Sequence, residues 1–112
     1  GLIITTGGVG AEGKDHTVEA VIRLDPDAAT PYICKFEKGT GRHVKDGVKI
    51  AVGWVAGARI VSLPGPNDEV SLSLDVLMKA LNHNLPNNAL AEELAKRLRE
   101  KLRGIRMHIR IC

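Results

Sequence analysis

The apolar run Leu2-Ile3-Ile4 ends in Thr5 and Thr6, meets Gly7, Gly8 and Gly10, and within a few residues passes into a pattern with helical spacing. Strand, glycine turn and helix in immediate succession constrain this chain more than any average of its composition. An unbroken apolar run reads as a strand buried on both faces, the habit of parallel sheets. Where such a strand ends in glycines before a helix, main-chain N–H groups can point at an oxyanion, and the helix N-terminus adds partial positive charge. Glycine suits that turn because the backbone must reach positive φ and admit a ligand with no Cβ in the way. Phosphate is the natural guest.

The rest of the chain supplies further elements. From Asp15, the residues Val18, Val21, Ile22 and Leu24 recur near helical spacing until Pro26, which predicts a short amphipathic helix. Pro31 to Lys38 predicts a strand with Tyr32, Cys34 and Phe36 on one side, and Gly39 to Gly47 a polar loop. Val48–Val55 and Arg59–Leu63 flank Ala56, Gly57 and Ala58, the spacing of a β-hairpin. Leu63 to Val70 is a rigid turn leading to a helix over Ser71–Leu81, and Asn82 to Asn88 is a linker rich in Asn and Pro. In the last helix Leu90, Leu94, Leu98 and Leu102 are spaced by four, supported by Glu92 with Lys96 and Glu93 with Arg97, and Gly104 is its expected end. The tail alternates Ile105, Met107, Ile109 and Ile111 with Arg106, His108 and Arg110, a half-buried strand pattern. The expected fold is α/β: a three-layer, mainly parallel sheet with helices on both faces and a β-hairpin excursion between Val48 and Leu63. Residues 1–81 form the domain, 82–88 the linker, and 89–112 a helix and tail packing on the domain or on a partner.

Composition narrows the function classes. With 112 residues, 44% hydrophobic and 26% charged, the chain supports one modest core. No run approaches the ~20 apolar residues of a membrane span and no signal segment is present, so a cytoplasmic protein with no membrane partner is expected. Cys34 and Cys112 lie far apart without CxxC or Cys/His clustering, which predicts structural or incidental thiols rather than a zinc site or disulfide framework. A net charge of only +3, with one Trp, one Tyr and one Phe, speaks against a nucleic-acid partner. Neither GxSxG nor HExxH occurs, and no Cys/His pair has a motif around it, so covalent hydrolysis is not indicated.

Two motifs compete for the glycines. Gly8, Gly10 and Gly13 satisfy the dinucleotide fingerprint GxGxxG, but Gly13 is followed by Lys14, Asp15 and His16, which read as loop and cap rather than helix interior. The run TTGGVG followed by Asp15 and Thr17 as D-x-T resembles the TGG-x-G … D-x-T signature of the molybdopterin-binding domain family, which includes molybdenum-cofactor biosynthesis proteins and the amino-terminal domain of competence/damage-inducible protein A (CinA). The segment Leu63-Pro64-Gly65-Pro66-Asn67-Asp68-Glu69 is similar to the LPG-x-P segment of the same family, its LPGP start and Glu69 being nearest to the CinA-type version. The resemblance covers Leu2 to Leu81. The chain opens without methionine at what resembles the family's third strand, so the domain is expected to be truncated at its amino terminus, a piece of something longer.

That resemblance implies a site. Thr5, Thr6, Gly7, Gly8, Val9 and Gly10 would bind molybdopterin, a phosphorylated pterin, or a nucleotide, with Asp15 and Thr17 beside them and Pro64, Gly65 and Asn67 forming the opposite wall. Asp15 is the candidate catalytic residue and, with Glu69, a candidate ligand for Mg²⁺. The residues themselves leave plainer readings open. The glycines also serve a tight turn; Asp15 suits an N-cap as well as a metal; Thr17 is a first-turn residue as well as a ligand contact. Pro64 and Gly65 shape a turn, Asn67 or Asp68 caps a helix, and Glu69 favours the helix dipole. Arg42, His43 and Lys45 form a basic cluster that fits a phosphate or plain solvent. Three functions follow: molybdopterin binding in cofactor biosynthesis, where family sites support adenylyl transfer or metal handling; CinA-like, metal-dependent cleavage of a nucleotide pyrophosphate such as ADP-ribose; or a non-catalytic, degenerate module that acts through assembly. A homo-oligomer is expected.

Overall fold

The structure is a computed structural model that describes residues 1–10, 15–35, 45, 47–65 and 67–106, with no side chain described at 67 or from 102 onward. Its elements are β1 (Leu2–Thr6), α1 (Thr17–Leu24), β2 (Tyr32–Lys35), β3 (Gly47–Lys49), β4 (Ala51–Val55), β5 (Ala58–Leu63), α2 (Asn67–Asn82) and α3 (Asn87–Arg106). The main sheet has the order β1-β5-β4. β1 runs parallel to β5, with Leu2 opposite Arg59 and Thr6 opposite Leu63; β4 runs antiparallel to β5 through the hairpin. Ala56 (φ 50°) and Gly57 (φ 81°) make that hairpin's turn, and positive φ at both central residues matches the right-handed twist of the strands.

Side chains alternate across the sheet, and that alternation splits the core in two. Ala51 and Ile60 face α1 and pack with Val9, Val18 and Val21. Val52, Val61 and Leu63 face the other way, against Leu77, Leu90, Leu94 and Leu98 of α2 and α3. The result is the expected α/β arrangement with helices on both faces, one against two, around a sheet that is mixed, one parallel and one antiparallel pair. The Leu stripe of α3 belongs to this core, Leu90, Leu94 and Leu98 being at most 1% exposed. Arg99 fastens the same helix to β2 by donating from Nε and Nη2 to the Tyr32 carbonyl, at 3.0 and 2.7 Å.

Several local expectations need correction. The segment Val48–Val55 is two strands: β3 pairs antiparallel with β2, while β4 joins the main sheet. β2 ends at Lys35, and the register shifts between Tyr32 and Cys34, so Ile33 and Cys34 are both buried instead of alternating; Phe36 to Lys38 lie outside the described residues. Cys34 is buried, at 6% exposure, and Cys112 lies outside the described residues. In α1 only Val18 and Val21 are buried, whereas Ile22 and Leu24 are 37% and 63% exposed, because a helix of two turns turns only one i, i+3 pair onto the sheet. α2 begins at Asn67 rather than Ser71 and α3 at Asn87, which shortens the expected linker to residues 83–86. Gly104 does not stop α3, which continues through Ile105 and Arg106; an isolated glycine costs a helix only about 1 kcal/mol against Ala. Residues 107–112 of the tail are not among those described.

β1 stands apart from this packing. It is an edge strand, and Leu2, Ile3 and Ile4 are 41%, 42% and 38% exposed, on both faces of the sheet.

Candidate functional site

β1 delivers the glycine turn to one end of the sheet, where the Leu63-Pro64-Gly65 turn arrives from β5. Parallel pairing places Thr6 beside Leu63, and the Gly7 N–H donates to the Leu63 carbonyl at 2.9 Å. That bond consumes the first amide of the expected cradle and aligns the two turns. A Cβ on Gly65 would lie 3.4 Å from the Gly7 Cα, so the turns touch backbone to backbone. Gly7 and Gly8 both take positive φ, 87° and 71°, which swings the chain away from the strand direction.

Beyond Gly7 the turn is held from behind by the D-x-T segment. Thr17 donates its backbone N–H to the Gly8 carbonyl at 3.0 Å and its hydroxyl to the Gly7 carbonyl at 3.1 Å. A Cβ on Gly8 would come within 2.1 Å of the Thr17 Oγ1, and one on Gly10 within 2.6 Å of the Asp15 Oδ2. A side chain at 8 or 10 would therefore have to displace Thr17 or Asp15, whatever ligand is bound. Val9, between the two glycines, is 5% exposed and sits in the core beneath α1, so its side chain plugs the turn into the protein. Among the described residues, no backbone carbonyl accepts a bond from the Gly8, Val9 or Gly10 N–H. Successive main-chain N–H groups left without a carbonyl partner are the kind of donor set that can take an anion.

The remaining candidates divide. Thr5 faces inward, its hydroxyl donating to the buried Ser62 Oγ at 2.8 Å, whereas Thr6 is exposed at the rim. Asp15 is not the N-cap: that position is His16, which makes no side-chain cap bond, and the Asp15 carboxylate lies against Gly10 instead. Pro64 is half-buried and Gly65 exposed, beside Gly7. Asn67 and Asp68 fall inside the first turn of α2 rather than before it, and half-buried Glu69 follows them; Pro66 is not described. No three His, Cys, Asp or Glu side chains come together as a metal site among the described residues. A Mg²⁺ at Asp15 or Glu69 would need phosphate oxygens and water to complete its shell.

Sequence reasoning missed one feature. Lys45, grouped above with Arg42 and His43, does not belong to a solvated cluster: its Nζ donates to the Asp15 carbonyl and pairs with Glu19 at 2.8 Å. Arg42 and His43 lie outside the described residues. Burial works to raise the Glu19 carboxyl, but the bond from Lys45, the Glu19 backbone N–H and the charges of Lys45 and His16 outweigh it and hold the group below its ordinary value. Nothing local in the sequence announces a bridge across 30 positions.

A family model described as "Probable molybdopterin binding domain" matches residues 1–83. Among solved structures, one titled "anomalous substructure of MogA" is similar with a TM-score of 0.52 and 25% identity, over 83% of this chain and 60% of that one. The chain thus spans about three-fifths of the length of that protein. No curated protein matches the sequence. Among the described residues, no helix is long and apolar enough to cross a membrane.

Proposed function

The chain belongs to the family of molybdopterin-binding domains, and from that premise we propose that it binds a phosphorylated pterin at the glycine turn, as a binding domain of molybdenum-cofactor biosynthesis. One observation carries the reading: among the described residues no backbone carbonyl accepts a bond from the N–H groups of Gly8, Val9 or Gly10, beside the Pro64-Gly65 turn that would form a second wall. These amides would hold the phosphate, with the exposed Thr6 hydroxyl as a further donor, and the N-terminus of α1 adds favourable charge. Thr17 and Val9 act behind the ligand, fixing the backbone that meets it. Asp15, with its carboxylate at Gly10, would meet a polar substituent or a substrate-bound Mg²⁺. A nucleotide phosphate fits the same donors, which is where CinA-like pyrophosphate chemistry would enter.

The test is calorimetry on the intact chain with molybdopterin, its dephosphorylated form and a nucleoside diphosphate. Phosphate-dependent binding, lost in Gly8→Ala, is the expected result. No affinity for any of the three ends the proposal.

A second reading concerns assembly and is compatible with the first. The exposure of Leu2, Ile3 and Ile4 on an uncharged edge strand favours a homo-oligomer that covers β1 with a second copy. Light scattering would show a dimer, and a monomer at micromolar concentration removes this reading.

A further inference from the structure

The geometry points to Lys45 as the positioning residue of the glycine turn, acting through the Asp15 carbonyl; the inference rests on the proposed site and adds to it the group that sets its shape. Lys45 precedes β3, on the far side of α1 in the sequence, yet among the described residues its ammonium meets the start of that helix. It donates to the main chain of Asp15 and pairs with Glu19, in the first turn of α1. Asp15 is the residue whose carboxylate lies against Gly10, two positions before Thr17, which holds the Gly7 and Gly8 carbonyls. The Lys45 amine therefore closes a chain of contacts that runs Lys45, Asp15, Gly10 on one side and Thr17, Gly8 on the other. The amides proposed to bind phosphate lie between those two supports.

The Lys45 side chain is 26% exposed and the Glu19 side chain 50%. An ion pair so open contributes little by itself. The bond to a main-chain carbonyl differs in kind, because it fixes a peptide plane at the turn and not merely two side chains. Lys45 also leaves the Glu19 charge compensated near a site meant for an anion. Two roles are thus separable: positioning through the Asp15 carbonyl, and neutralising Glu19.

Substitution separates them. The whole chain is titrated with inorganic phosphate and with molybdopterin, and the ligand-free amide resonances of Gly8 and Gly10 are recorded, for the wild type, Lys45→Met, Lys45→Arg, Glu19→Gln and the Lys45→Met/Glu19→Gln pair. Positioning predicts that Lys45→Met moves both glycine resonances and weakens binding about three- to tenfold, as loss of one charge-assisted bond near a site does. Lys45→Arg should recover most of both, and Glu19→Gln in the Lys45→Met background should recover neither. Full recovery in the double variant overturns positioning in favour of charge alone, and unmoved glycine resonances in Lys45→Met overturn it outright. Absence of binding by the wild type removes the proposed function instead, and the resonances still decide whether Lys45 shapes the turn.

Discussion

The two sides of the sheet end treat the same residue types in opposite ways. Leu90, Leu94 and Leu98 on α3 are sealed to within 1% of exposure, while Leu2, Ile3 and Ile4 on β1 stand about two-fifths exposed. The α3 side is a finished core, where a stripe of leucines meets Val52, Val61 and Leu63 of the sheet. The β1 side is finished only at its tip, where the glycine turn is strapped down by Thr17 and Val9. The fully sealed leucines thus lie on the α2–α3 face of the sheet, and the candidate chemistry at the tip of its exposed edge strand.

Truncation is the sharpest way to break this contrast. Leu94→Ala should remove about 3–4 kcal/mol of unfolding free energy in urea denaturation, since a fully buried leucine leaves a cavity behind. Ile3→Ala should cost about 1.5 kcal/mol, in proportion to the apolar area it hides. Equal costs would mean that β1 is covered in solution, and the comparison would then have to be redrawn around an assembled particle.

Glycine substitutions probe the tip. Gly8→Ala meets the Thr17 hydroxyl and also holds φ at +71°, so it should cost about 2–3 kcal/mol and abolish phosphate binding. Gly7→Ala at φ +87° has open space around its Cβ and should cost about 1 kcal/mol, the backbone penalty alone. Thermal unfolding of the two variants side by side checks the difference. If they melt together, Thr17 does not brace the turn.

How much of this was legible follows from how far each cause lies along the chain. The α3 stripe could be read because leucines four apart declare a helix face directly, and the Ala56-Gly57 turn because a hairpin needs residues at positive φ between two strands. The glycine turn and the Leu63-Pro64-Gly65 turn could each be read, and the structure adds that they touch, through Gly7 and Gly65. Asp15 was misplaced as an N-cap because the local rule looks only forward into the helix, whereas Gly10 behind it and Lys45 from another segment claim it. Ile22 and Leu24 fit a helical pattern that their short helix cannot bury. Gly104 followed a stop rule that the helix-forming residues around it override. In β1, three apolar residues in a row say that a strand is built to be covered, but not by what.

The smallest expected effect tests the Lys45 strap by acid. Glu19 has its carboxyl held below the ordinary value by Lys45, with His16 adding to the effect. A folded-state value below the unfolded one means that the folded protein binds fewer protons in this range, so the Glu19 contribution is complete above the ordinary carboxylate value of about 4.3 and fades as pH falls through the lowered one. Urea unfolding across this acid range should therefore show a shallow loss of stability in the wild type that is reduced in Glu19→Gln. Leu94→Ala, which touches no titrating group, should shift the whole profile down without changing its slope. An unchanged slope in Glu19→Gln would show that the pair does not persist in solution, and the glycine turn would then depend on Thr17 and Val9 for its shape, leaving Lys45 free to meet the phosphate itself.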